Sequence, residues 1–249
     1  MQSRLVSAQK VRRPNDGVEN LHNECGEELY AEVGTALALR DNSIRTSVRK
    51  VSGATDKAAA CRQGHTGAVL ILLPPSEKKA AEPAPAIELY TGVLYTALGW
   101  STLTKAQREL AQESIVIISA KYGALRPLDS IQPYKEKIVN KEMAPRVAAV
   151  VDQLDSELII DCRSSTYQTV WQSPIEKTVE VKVFTRVDGE KKVITHMSKK
   201  SRGEVTRQIL IHGEDIKTPQ QFHKVVSQGF TCTLIEATTK EPWILEVYC

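Results

Sequence analysis

The chain has no apolar run near the ~18 residues that a membrane-spanning helix needs. Its best run, Ala68 to Pro75, is the length of a strand. The first thirty residues carry Asp16, Glu19, Glu24, Glu27 and Glu28 and no apolar core segment, so no secretory leader is expected. Five cysteines (Cys25, Cys61, Cys162, Cys232, Cys249) make no CxxC and are odd in number. That argues against a disulfide framework and for a reducing cytoplasm. No close Cys/His pair has zinc-ligand spacing, so no metal site is expected. Also missing are GxGxxG, a Walker A loop and a paired-carboxylate motif. His22, His65, His196, His212 and His223 stand in no motif with a Ser or Cys. A nucleotide enzyme of a standard type, or a bound cofactor, is therefore not expected. Neither sign of charge dominates: 33 Lys+Arg against 30 Asp+Glu leave +3. Such a balance neither demands nor excludes a polyanionic partner, and local clustering must decide.

What is present describes a globular protein. The 249 residues are 41% hydrophobic and 25% charged, enough for a sizeable core and inconsistent with bulk disorder. Residues 1–67 are polar and mixed in charge, with 10 basic and 8 acidic residues. Within them Leu29, Val33 and Leu37 recur every four residues, which predicts a helix over Glu27 to Arg40. These residues read as an atypical N-terminal extension, partly disordered, ahead of a main domain over 68–249.

From Ala68 the pattern sharpens. Val69 to Leu73, Ile115 to Ser119 and Leu158 to Cys162 read as buried strands. Helices are predicted over Gly92 to Leu98, Thr104 to Gln112 with Thr104 as N-cap, Ala144 to Leu154, Ser198 to His212 and Thr218 to Ser227. Residues 78–88 read as a proline-rich linker and Lys121 to Tyr134 as a turn-rich loop. Val179 to Thr185 and Lys192 to His196 flank Val187-Asp188-Gly189 and read as a hairpin turning at Asp-Gly. Phe230 to Ala237 and Trp243 to Val247 close the chain as strands. Strands alternating with helices, then a hairpin, predict an α/β fold (α+β in character) around a mixed sheet.

The three buried strands run straight into polar segments. In open α/β sheets, ligands bind beyond the carboxyl ends of the strands. If these strands are parallel neighbours, one edge collects Ser76, Lys79, Tyr122, Arg126, Asp129, Arg163, Ser165 and Tyr167. That set is cationic, hydroxyl-bearing and aromatic, and suits a phosphate beside a base. Each member also has a plainer role: Gly123 to make a turn, Arg126 and Asp129 to pair, Ser164 or Ser165 to cap a helix. A second constellation is Ser198-Lys199-Lys200-Ser201-Arg202-Gly203. From Lys177 to Arg207, nine Lys/Arg face four acids, a local +5 against +3 for the whole chain. A helix N-terminus with Lys and Arg suits anions, and equally makes a solvated basic face.

LILLPPSEKK, LYTGVLYTAL, ISAKYGALRPLDSIQPYK, LIIDCRSSTYQTVW and THMSKKSRGEVTRQIL occur in an order that resembles the YaaA family, as does the tail TPQQFHKVVSQGF. The LLPPSE stretch resembles actinobacterial members. The resemblance spans about residues 69–249. It implies an α/β fold peculiar to the family, with a helix-hairpin-helix-like element and a basic cleft. It also implies a cytosolic protein that binds duplex DNA and limits oxidative damage under hydrogen peroxide, with intracellular iron as one route. On the matching motifs it singles out Ser76 and Lys79; Tyr122, Gly123, Arg126, Asp129 and Tyr134; Arg163 and Ser165; and Lys199, Lys200 and Arg202. Two features depart from the family: residues 1–67 are additional, and only residues 78–89 separate Glu77 from Tyr90, where members carry a longer helical segment.

Two functions follow. One is weakly sequence-specific binding of double-stranded DNA, with Lys199, Lys200, Arg202 and Arg207 on phosphates and Arg126 or Arg163 lining the cleft. The other is an enzyme acting on a nucleotide or nucleobase at the strand ends. There Asp129 is the general base, Lys79 or Lys199 holds phosphate, Tyr122 or Tyr134 stacks on the ring, and Ser76 is a further catalytic candidate. Direct iron binding is not expected, because Asp, Glu and His are scattered without ligand spacing.

Overall fold

A computed structural model of the protein describes residues 69–187 and 190–249. The predicted helix over 27–40, the extension 1–67 with its boundary, and the Asp188-Gly189 turn lie outside the described residues. In chain order the elements are β1 (Val69–Leu73), β2 (Ala84–Pro85), α1 (Ala86–Leu89), α2 (Val93–Leu98), α3 (Lys105–Ser114), β3 (Ile115–Ser119), β4 (Gly123–Leu125), β5 (Ser130–Ile131), α4 (Asn140–Val151), β6 (Leu158–Asp161), α5 (Ser165–Gln168), β7 (Thr178–Val187), β8 (Glu190–Lys192), α6 (Thr195–His212), α7 (Pro219–Val226), β9 (Thr231–Ile235) and β10 (Trp243–Tyr248).

The main sheet runs β4-β3-β1-β6-β7-β10-β9, with β8 paired to β7. From β3 to β10 all neighbours are parallel, while β4 and β9 are antiparallel at the two edges. This is the mixed α/β sheet expected from the alternation of elements. Strands β1 and β3 are buried along their whole length, as befits parallel strands covered on both faces. Side chains that alternate along a strand divide between two cores. Ile71, Leu73, Ile117 and Ile160 join Leu94, Leu98, Val205, Ile209 and Phe222 of α2, α6 and α7. Leu70, Leu72, Val116 and Ile159 join Met143, Val147 and Val151 of α4 on the other face. Each fully buried Leu or Ile contributes about 1.5–3 kcal/mol of transfer free energy.

Local chemistry sets the helix ends. Thr104 and Thr218 cap α3 and α7 in reciprocal boxes with Gln107 and Gln221, each box worth about 1 kcal/mol. Gly203 is where α6 crosses α2: a Cβ there would lie 2.1 Å from the Leu94 carbonyl oxygen.

Several segments differ from the sequence reading. Residues 78–88 are not a bare linker. Lys79 bridges to Tyr90, β2 pairs with β5, and Ala86, Ile87 and Leu89 of α1 are buried. Elements this short show no periodicity. For the same reason β4 and β5 emerge inside the predicted 121–134 loop. Helix α4 starts at Asn140 and carries Pro145 inside. Helix α6 starts at Thr195, so His196 is helical and β8 ends at Lys192.

Candidate functional site

The carboxyl ends of β3, β1 and β6 lie side by side, as expected, and carry a cluster of phenols. Ser119, the last residue of β3, is buried. Its Oγ accepts the amide N–H groups of Lys121 and Tyr122, both at 3.2 Å. The same oxygen is 2.9 Å from Tyr134 Oη, which is 2.8 Å from Tyr90 Oη. Tyr95 donates to the Pro74 carbonyl at 2.7 Å, tying this cluster to the loop after β1. The rings touch edge-to-face: Tyr122 and Tyr134 centroids are 5.6 Å apart at 81°. Burial, the largest cause in each case, pushes the phenols of Tyr90 and Tyr95 well up and that of Tyr167 up to about 12. They therefore stay protonated at neutral pH.

Lys79 sits against this cluster. Its Nζ is 4.1 Å from the Tyr134 ring centroid and 5.9 Å from that of Tyr90. Burial lowers its pKa, and the nearby carboxylates of Glu77 and Glu136 oppose that. Glu136 is itself held by Lys121 at 2.8 Å. Ser76, half-buried, faces the start of α2. A Cβ on Gly92 would fall 2.1 Å from its Oγ, so only glycine permits this approach. Lys79, Tyr122 and Tyr134 are thus brought together, with Tyr167 within the electrostatic reach of Tyr134.

Three other predicted members are not. Strand β4 runs antiparallel to β3 and returns the chain to the amino edge, with Leu125 opposite Ile117. Arg126 there donates to the carbonyls of Glu113 (2.9 Å) and Ile115 (3.2 Å). Asp129 accepts the Arg126 amide at 2.7 Å and closes a turn. Asp129 thus pairs with the Arg126 backbone, and the Arg126 side chain ties the turn to the start of β3. Arg163 is 1% exposed and engages four of its five side-chain N–H groups. It donates from Nε and Nη2 to Asp161 (2.9 and 2.7 Å), and from Nη1 to the carbonyls of Tyr167 (3.1 Å) and Trp171 (2.9 Å). It braces the segment after β6 from inside. Ser165 is exposed at the start of α5. Gly123 opens β4 at φ +79°, a left-handed conformation that suits glycine, so its turn-making role is the one seen.

The basic element is a hairpin followed by a helix. Lys192 and Lys199 are exposed and in no ion pair among the described residues, while Lys200, also exposed, pairs with Glu204 at 3.3 Å. Arg202 donates to the Val181 carbonyl at 3.3 Å, and Arg207 to the Leu98 and Gly99 carbonyls at 2.9 and 3.1 Å. The two arginines thus tie α6 to β7 and to the end of α2. The Cys162 thiol is buried, and burial pushes it up to about 12 despite the cation of Arg202 nearby. Among the described residues no three His, Cys, Asp or Glu side chains gather as a metal site, and no helix is long and apolar enough to cross a membrane.

Sequence reasoning missed Tyr90, Tyr95, Ser119, Glu77 and Glu136. A signal was there: five of the chain's seven tyrosines fall between 90 and 167.

The family model described as "Peroxide stress protein YaaA" matches residues 46–234 of this chain. A UPF0246 protein of Streptomyces coelicolor is 28% identical over 187 residues, 69% of this chain and 71% of its own length. One from Corynebacterium efficiens is 36% identical over 141 residues, 52% and 56% of the two chains. One from Streptococcus pneumoniae is 30% identical over 177 residues, 68% and 69%.

Proposed function

The chain belongs to the peroxide stress protein YaaA family, and we propose that it serves the response to hydrogen peroxide in the cytoplasm by binding double-stranded DNA and limiting its oxidative damage. The observation that carries this reading is the concentration of charge on β7, β8 and the first half of α6. Nine Lys/Arg oppose four acids between residues 177 and 207, while the chain as a whole is only +3. Lys192 and Lys199 are exposed and unpaired among the described residues. The exposed Lys200–Glu204 pair is worth only about 0.3–0.5 kcal/mol, so a phosphate readily takes the place of Glu204. Lysines of this kind neutralise backbone phosphates and release counterions, which gives affinity without sequence reading.

Lys192, Lys199 and Lys200 are the contacts. Arg202 and Arg207, bound to backbone carbonyls, hold the element in place. Fluorescence anisotropy of a labelled duplex across a salt series tests the reading. Affinity falling steeply with salt and little affected by sequence is expected. Binding that ignores salt, or absence of binding at low salt, contradicts it.

A further inference from the structure

The phenol cluster at the strand ends is not absorbed by DNA binding on the hairpin and α6. Three of its hydrogen-bond donors, Ser76 Oγ, Lys79 Nζ and Tyr167 Oη, have no protein acceptor among the described residues, and all three residues are half-buried. Among the described residues the one buried side-chain polar atom without a partner is Arg108 Nε. The three donors are therefore unpaired yet open to solvent. Tyr90 and Tyr134, by contrast, are sealed in the relay through Ser119.

These donors come from two neighbouring strand ends. Ser76 and Lys79 follow β1, Tyr167 follows β6, and β1 and β6 are parallel partners. Lys79 and Tyr167 share two neighbours: both feel the carboxylate of Glu77, and Tyr134 lies under the ammonium of Lys79 and within the electrostatic reach of Tyr167. An ammonium partly withdrawn from water, resting on a tyrosine face with no carboxylate within ion-pair distance among the described residues, lacks an anion there. Hydroxyl and ammonium donors carried by the same sheet edge suit charge-assisted hydrogen bonds to one. Glu77, exposed beside them, suits a donor on the same ligand, such as a sugar hydroxyl or base N–H.

We infer that the carboxyl edge of β1, β3 and β6 binds the phosphate monoester of a nucleotide, with Lys79, Ser76 and Tyr167 on the phosphate and Glu77 toward the nucleoside. The source is either a free nucleoside monophosphate or the 5′-phosphate end of a DNA strand. The site uses none of the lysines assigned to duplex binding, so either assignment stands without the other.

Calorimetric titration of the full chain tests it. The probes are nucleoside 5′-monophosphates, the matching nucleosides, and single-stranded oligonucleotides ending in 5′-phosphate or 5′-hydroxyl. The phosphorylated form of a probe pair is expected to bind at least about tenfold more tightly than its unphosphorylated partner. Preference among the mononucleotides identifies a free nucleotide as the source; preference confined to the oligonucleotides identifies a strand end. Lys79→Met, which keeps the aliphatic stem on the tyrosine rings, is expected to abolish the preference, and Lys79→Arg to keep it. Lys192→Ala/Lys199→Ala/Lys200→Ala is expected to leave it unchanged while losing duplex binding. If Lys79→Met does not fold, Ser76→Ala/Tyr167→Phe provides the reading, with a several-fold loss expected. Equal binding of phosphorylated and unphosphorylated probes overturns the inference. So does a folded Lys79→Met protein, or a Ser76→Ala/Tyr167→Phe protein, that retains the full preference.

Discussion

The ammonium of Lys79 rests 4.1 Å from the ring centroid of Tyr134, and the hydroxyl of that same tyrosine links Ser119 to Tyr90. One side chain thus closes a buried hydrogen-bond relay with its oxygen and supports a cation with its face. Lys79 extends beyond β1, Tyr134 follows β5, and Ser119 ends β3. The relay and the lysine therefore join separate chain segments at the edge where parallel sheets bind ligands.

Removing that hydroxyl should be felt in stability. Tyr134→Phe leaves the Ser119 and Tyr90 hydroxyls without their shared partner in a buried site. The expected cost is about 1–3 kcal/mol. Urea unfolding checks this: the midpoint should fall with the slope unchanged.

The crossing of α2 and α6 is equally exposed to a single substitution. A Cβ at Gly203 would meet the Leu94 carbonyl oxygen at 2.1 Å and Ala97 Cβ at 3.0 Å, and the first of these is backbone that cannot rotate away. Gly203→Ala is expected to force the helices apart and cost about 1–3 kcal/mol. A thermal melt reads the loss. Ala97→Gly should return little of it, because the main obstacle is the Leu94 carbonyl.

The alkaline limb of stability follows from the buried acids. Burial pushes the Cys162 thiol up to about 12 and the Tyr167 phenol up to about 12, and raises Tyr90 and Tyr95 in the same direction. The unfolded chain ionises these groups first, from about pH 8.5 for the thiol and about pH 10 for the phenols. Between those values and about pH 12 the folded state holds more protons than the unfolded one. Stability is therefore fully present below about pH 8.5 and lost as pH rises through that window. Urea midpoints measured from neutral pH upward should decline in this range. Near neutral pH Cys162 is thus held as the unreactive thiol. Alkylation of the native protein should therefore spare Cys162 and reach the exposed Cys249 first. A Cys162 as reactive as Cys249 would contradict its burial.

Much of this arrangement was legible in the sequence. Runs such as Val69–Leu73 and Ile115–Ser119 are apolar throughout, the signature of strands covered on both faces, and their bounds match the structure. Thr104 as N-cap and the helix opening at Thr218 were legible too, and both threonines cap their helices. What stayed hidden depends on direction and on partners. Nothing in Gly123-Ala124-Leu125 says that the chain turns back along β3, and that reversal carries Arg126 to the carbonyls of Glu113 and Ile115. Nor does Asp161-Cys162-Arg163 announce that the arginine folds back on the aspartate two residues earlier, so a residue read as a phosphate ligand is a buried brace. Tyr90 and Ser119 were overlooked because each looks like ordinary core or strand until Tyr134, distant in sequence, is brought between them.

The central claim is that exposed lysines on one hairpin-helix element bind duplex DNA through its phosphates. The most direct measurement is the slope of log affinity against log salt, for the unaltered chain and for Lys192→Ala/Lys199→Ala/Lys200→Ala. Each phosphate contact adds about one unit to the slope. The triple variant, folded and melting as the parent does, is expected to bind far more weakly and with a slope shallower by about two to three. The same affinity and the same slope in both proteins would contradict it.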